Sequence, residues 1–186
     1  MINEKLFETE DYLLTEIDFE KDPEVDARYT LDLRYAKYWC DGFTRPLSKN
    51  EMKKRYEKIE KKVDESGSVM HFAIRQKQDE KLIGYLRFEW VLWTNGVGWL
   101  KIAIADEEQT EKVLEQLVPL ALNYSFLELN LFRVEMDVPA YEVAYPSILE
   151  KNGFQCDAIN REVYYHDGRY WNGFTFGILK PEWKSI

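Results

Sequence analysis

Lys81-Leu82-Ile83-Gly84-Tyr85-Leu86-Arg87-Phe88 opens the stretch whose reading decides the fold, and Lys151-Asn152-Gly153-Phe154 closes it. The opening run is apolar and rich in β-formers, and it reads as a strand from Leu82 to Trp93. Asn95-Gly96 marks a tight turn. The run from Gly98 to Ala105, built around Trp99-Leu100-Lys101-Ile102-Ala103-Ile104, is the partner strand. From Gln109 to Leu129 the apolar residues Val113, Leu117, Leu120, Tyr124 and Leu127 recur at helical spacing. Pro119 lies inside that pattern, where its missing N–H costs about 3 kcal/mol in a regular helix, and a kink is expected there. Arg133-Val134-Glu135-Met136-Asp137-Val138 supplies a further strand, followed by a short helix ending at Gly153.

Outward from this stretch, Tyr12 to Phe19 reads as a first strand. Asp22-Pro23 is a helix start, a capping carboxylate before a proline at the first helical position. Leu31, Tyr35 and Tyr38 continue that helix to a stop at Gly42. Ser48-Lys49-Asn50-Glu51 is a capping box, and the helix it opens carries Met52, Tyr56, Ile59 and Val63 on one stripe until Ser66-Gly67-Ser68. Val69 to Arg75 is a strand, with a turn at Gln78-Asp79-Glu80. At the other end, Phe154–His166 and Tyr170–Leu179 flank Asp167-Gly168-Arg169 as a hairpin. These elements make an α/β (α+β) fold: a mixed, mostly antiparallel sheet of about seven strands with helices on both faces, in a single domain over residues 1–186.

The formal charge of −9 argues against a nucleic-acid partner, which requires clustered Lys and Arg, and weakly favours cationic ligands. Twelve Tyr, ten Phe and six Trp exceed what a minimal core needs. They read as large rings in the core or as the walls of a cleft. Cys40 and Cys156 are far apart and have no metal-ligand spacing. They are expected as buried free thiols, which suits a cytoplasmic address. Met1-Ile2-Asn3-Glu4-Lys5 leads into Leu6-Phe7-Glu8 with no apolar run, so neither an export segment nor a membrane partner is expected. No metal set and no Ser/His/Asp or Cys/His arrangement stands out. Trp90, Trp93 and Trp171 are candidate contacts for a homodimer.

Three stretches then carry a resemblance: Leu129-Asn130-Leu131-Phe132-Arg133-Val134-Glu135, Glu150-Lys151-Asn152-Gly153-Phe154 and Leu179-Lys180-Pro181-Glu182-Trp183. Their order and spacing, across roughly Tyr12 to Trp183, resemble the GNAT acyltransferase superfamily, and within it the branch of ribosomal-protein N-terminal acetyltransferases. The resemblance implies acetyl-CoA as cosubstrate and an amine of a small molecule or peptide as acceptor. It also implies a splay between the fourth and fifth strands, with the pantetheine arm along Lys101, Ile102, Ala103 and Ile104. The pyrophosphate is then expected at the amino end of the following helix, near Lys112. Tyr145 is the implied acid toward the leaving thiolate, or else a tyrosine packed beside Pro146. Glu89 and Glu135 are the positional candidates for a general base, or else surface carboxylates on alternating strands.

One segment departs from the family pattern. Where a glycine-rich phosphate loop belongs, the chain reads Asp106-Glu107-Glu108-Gln109-Thr110-Glu111, and no glycine occurs between Gly98 and Gly153. Asp106 with Gln109 reads as a capping box, so the segment serves its own helix. Toward a diphosphate at about 8 Å, with an effective dielectric of about 20–80, each carboxylate costs on the order of 0.5–2 kcal/mol before screening. Lys101 and Lys112 offset part of that. The family's usual asparagine and tyrosine positions fall at Glu142 and Leu149. Two functions follow as expectations. One is an acyl-CoA-dependent N-acetyltransferase. The other is a non-catalytic domain of the same fold that binds a ligand without the cofactor.

Overall fold

The computed structural model describes residues 5–40 and 44–184. The described chain runs β1 (Tyr12–Thr15), α1 (Asp22–Tyr29), α2 (Leu33–Trp39), α3 (Lys49–Ser66), β2 (Met70–Gln76), β3 (Leu82–Leu92), β4 (Val97–Ile104) and α4 (Glu107–Asn123). It then passes through a π-helical turn (Tyr124–Glu128) to β5 (Arg133–Pro139), α5 (Tyr145–Lys151), β6 (Gln155–His166) and β7 (Arg169–Leu179). The strands form one seven-stranded sheet in the order β1-β2-β3-β4-β5-β7-β6, antiparallel except for the β4–β5 pair.

Helices cover both faces of the sheet. In β3 every residue from Leu82 to Phe88 is buried, as a strand packed on two sides must be. Alternation sends Tyr85 and Arg87 toward α2 and α3, where Trp39 stacks on Tyr85 at 5.0 Å and the Arg87 guanidinium lies over Trp39 at 4.6 Å. Phe88 points to the opposite face and meets Tyr124 at 6.1 Å. Gly84 is required for this layering, because a Cβ there would stand 2.1 Å from the Ala103 carbonyl oxygen.

A polar network sits inside this core. The Asp26 carboxylate, 0% exposed, accepts hydrogen bonds from the Tyr35 hydroxyl at 2.8 Å and the Tyr56 hydroxyl at 2.6 Å. Tyr56 in turn shares a hydrogen bond with the Tyr85 hydroxyl. Burial outweighs these bonds and pushes the Asp26 carboxyl up to about 6.

Several expectations need correction. The single helix from Asp22 through Tyr38 is two helices. Thr30 turns its hydroxyl onto the Ala27 carbonyl at 2.6 Å, and Asp32 restarts the chain by capping the Arg34 N–H at 2.8 Å. Leu31 consequently faces solvent at 70% exposure instead of joining the stripe. Asp22 is the first helical residue rather than the cap, and its buried carboxylate binds the Arg75 guanidinium at 2.8 and 3.0 Å. β1 stops at Thr15 rather than Phe19. α4 continues through Pro119 to Asn123 and leads into a π-helical turn over Tyr124–Glu128 that the periodicity did not show. Cys40 is buried but Cys156 is exposed, because β6 is an edge strand whose first nine residues are all open to solvent. Asp167 and Gly168 alone make the hairpin turn, both with positive φ, so Arg169 belongs to β7. The expected stop at Gly42 lies outside the described residues, as do Met1 to Glu4 of the N-terminal stretch.

The capping box at Ser48 and Glu51 is present in full, and Gly67 ends α3 in the left-handed conformation at φ 56°.

Candidate functional site

The site begins where β4 and β5 part. They pair at only three positions, Val97 with Arg133, Gly98 with Val134 and Trp99 with Glu135. The closed end depends on Gly98, where a Cβ would come 2.7 Å from Leu131 Cδ1. Beyond Trp99, β4 keeps to β3 and β5 keeps to β7, so an opening forms between them.

On one side of that opening lies a cavity of about 540 Å³. Tyr38, Trp99, Tyr141, Tyr164 and Tyr165 supply its rings, and Lys37, Glu89, Lys101 and Asp137 its charges. A β-bulge at Phe88/Trp90 sets Glu89 and Trp90 against Trp99 alone and brings Glu89 to the wall. The two lysines are already engaged. Lys37 Nζ donates to the Tyr165 carbonyl at 2.9 Å, and Lys101 Nζ pairs with Glu89 at 3.3 Å while lying 5.1 Å over the Tyr38 ring. Glu89 is held by Arg87 as well. Asp137 differs: it accepts only from the Thr175 hydroxyl, at 2.7 Å, and pairs with no cation among the described residues. The Tyr38 hydroxyl is buried and has no hydrogen-bond partner among the described residues. Burial holds its pKa well above the ordinary tyrosine value. That of Tyr164 is raised by burial and then by Asp137.

The other side of the opening is filled. From α5, the Tyr145 hydroxyl donates to the Ile102 carbonyl at 2.7 Å. From α2, Arg34 Nη2 donates to the Ile104 carbonyl at 3.1 Å, and Nη1 donates to both Glu142 oxygens at 2.9 Å. Arg34 and Glu142 are 7% and 4% exposed, so the pair lies in the interior. Burial pushes the Glu142 carboxyl up to about 6 against the opposing pull of Arg34. At the mouth a second cavity, about 440 Å³, is lined by Glu107, Glu108, Thr110, Glu111, Glu142, Val143, Ala144 and Ser147. Asp106 caps α4 by taking the Glu108 N–H at 3.0 Å. Gln109 meets the Asp106 carboxylate at 2.7 Å rather than its backbone N–H, so the reciprocal half of the expected capping box is replaced by a side-chain contact.

The residues expected to act together are therefore divided. Glu89 and Lys101 share the first cavity. Tyr145 is fully buried at the free edge of β4, outside the cavity lining, with its proton committed to Ile102. Glu135 is bound by Arg133 Nε at 2.6 Å and stays outside the cavity lining. Ile102, Ala103 and Ile104 are buried along β4, and Lys112 is drawn to Asp11 at 2.9 Å, away from both cavities. Sequence reasoning missed Asp137, Tyr38 and Arg34. Asp137 could have been found, since it lies two positions past Glu135 on the same strand face. Arg34 gave no signal, because its partners are 70 and 108 residues away.

Comparison with known proteins bears on this arrangement. The family description "Acetyltransferase (GNAT) domain" matches residues 26–174. A probable N-acetyltransferase of Bacillus subtilis, YjcK, is 26% identical over 113 residues, which span 60% of this chain and 62% of that protein. A spermidine N-acetyltransferase of Vibrio cholerae, solved with CoA and spermine, superposes with a TM-score of 0.77 at 22% identity, covering 94% of this chain and 98% of that one. A putative ribosomal-protein-serine acetyltransferase of Vibrio cholerae superposes with a TM-score of 0.69 at 15% identity, covering 93% and 96%. At these identities the two structures show a shared fold.

Proposed function

The chain belongs to the GNAT acetyltransferase family, and on that premise we propose that it takes up a small organic ammonium compound in the cavity beside β4. The observation that carries this reading is Asp137, a cavity carboxylate with no cation partner among the described residues, set among aromatic walls. A carboxylate and ring faces together recognise an ammonium group, the first by a charge-assisted hydrogen bond and the second by cation–π attraction. The unpartnered Tyr38 hydroxyl offers a further acceptor for an N–H. The Vibrio cholerae neighbour is a spermidine N-acetyltransferase solved with spermine, so polyamines are the first ligands to try.

Acetyl-CoA, the cosubstrate that family membership implies, does not fit the residues on the other side of the opening. Two β4 carbonyls there are already bonded by Tyr145 and Arg34, and the mouth is lined by four glutamates with no lysine or arginine among the described lining residues. A second reading, acetyl transfer to the bound amine, is favoured by one observation, the parting of β4 and β5. In that reading Glu89, which lines the same cavity, is the candidate base.

Calorimetric titration with spermidine, n-butylamine and n-butanol tests the main reading. The amines bind and the alcohol does not, and Asp137→Asn weakens amine binding about 10–100-fold, as expected for a lost hydrogen bond to a charged group. Equal affinity for wild type and Asp137→Asn would rule this reading out.

A further inference from the structure

An extended acyl-CoA arm entering the opening has to pair with the backbone of β4, as an added strand pairs with a sheet edge. The groups available to it belong to Leu100, Ile102 and Ile104. The alternate residues face β3, as the bond from the Ala105 N–H to the Ile83 carbonyl at 3.0 Å shows. We propose that Arg34, Glu142 and Tyr145 stand in the place of that arm, so that this domain holds its ammonium ligand without acylating it. The proposal rests on the ammonium reading of the cavity.

Arg34 comes from α2, Glu142 from the turn before α5 and Tyr145 from the first residue of α5, and two of the three bond β4 directly. Tyr145 takes the Ile102 carbonyl and Arg34 the Ile104 carbonyl, the two successive acceptors on the free edge. Glu142 then fixes the Arg34 fork with two bonds at 2.9 Å. This closure is built from the protein's own groups, with Arg34 Nε alone on that fork lacking a hydrogen bond among the described residues. The guanidinium charge is met by Glu142, and the Tyr145 ring is held edge-on against Tyr38 at 5.7 Å, the tyrosine that also lines the ammonium cavity. Displacing these side chains would leave a buried ion pair broken and two carbonyls to be bonded anew.

The mouth adds a second barrier. Glu107, Glu108 and Glu111 line it together with Glu142, and the α4 amino end has already given the Glu108 N–H to Asp106. A diphosphate finds carboxylates where it needs free N–H groups and cations. The closure and the mouth share Glu142, and Arg34 Nε lies 4.0 Å from Glu107, so they form one continuous arrangement.

Titration of the full chain with acetyl-CoA up to about 1 mM, and separately with spermidine, tests the proposal. Wild type is expected to show heat with spermidine, none with acetyl-CoA, and no acetyl group on the recovered amine. Arg34→Ala/Glu142→Ala, which removes both charges together, is placed in a Glu107→Gly/Glu108→Gly background. It is expected to gain acetyl-CoA affinity by at least about tenfold over wild type. Tyr145→Phe, which keeps the ring, frees the Ile102 carbonyl in the same background as a milder opening. A wild-type Kd for acetyl-CoA below about 100 μM, or acetylated amine, overturns the proposal. So does a folded opened variant that stays as silent as wild type. Silence toward spermidine alone removes the ammonium reading and leaves the donor-side result standing.

Discussion

Replacing Asp26 by asparagine should remove a pH-dependent cost that the wild-type core carries. The Asp26 carboxyl titrates near 3.8 in an unfolded chain and near 6 in the folded one, with burial as the main cause. Below about pH 3.8 the group is protonated in both states and contributes no difference. Between about 4 and 6 the unfolded chain releases the proton while the folded chain keeps it, so stability from this group falls as pH rises. Above about 6 the loss is complete, and a rise from 3.8 to about 6 corresponds to about 3 kcal/mol. Asparagine has the shape of the protonated acid and can still accept from one of the two tyrosines, Tyr35 or Tyr56, that now bond Asp26. Asp26→Asn is therefore expected to gain on wild type by about 2–3 kcal/mol between pH 4 and pH 7.5. Urea unfolding followed by tryptophan fluorescence at four pH values across this range measures the difference directly. A wild-type-minus-variant difference that stays constant, or that moves in favour of wild type as pH rises, would refute the reasoning.

Gly84→Ala should lower Tm by about 3–10 °C, since the new methyl meets the Ala103 backbone and overpacking costs about 1–3 kcal/mol; a change under about 2 °C in thermal denaturation would mean that β3 and β4 separate freely. Ser48→Ala is expected to cost about 1 kcal/mol by breaking a complete capping box, and an unchanged urea midpoint would count against that box. Thiol titration with Ellman's reagent should find one reactive group, Cys156, in the native chain and two in urea; two in the native state would contradict the burial of Cys40.

The family was legible in short runs of sequence because its marks are local: a strand-ending motif, a glycine after a short helix, a hairpin turn. The helix break at Thr30 was not legible, since the competing bond is a threonine hydroxyl turned back on its own helix, and Leu31 continued the apolar stripe on paper. Glu89 lines the cavity, and its companion there is Asp137 rather than Glu135, because Arg133 shares the Glu135 face and holds it.

The linear chain alone determined the succession of strands and helices, apart from the break at Thr30, because hydrophobic period and turn chemistry are properties of neighbours a few positions apart. It also showed that acidic residues without glycine begin α4. Only the folded molecule decided what became of the opening between β4 and β5. Arg34 carried no mark in the sequence, and in the proposed closure α2 and α5 place its guanidinium and the Tyr145 hydroxyl on the Ile104 and Ile102 carbonyls, with Glu142 holding the guanidinium. A hydrogen bond of about 3 Å between residues 70 positions apart is written in no local pattern, and it is the contact on which the proposed filling of the cosubstrate's place rests.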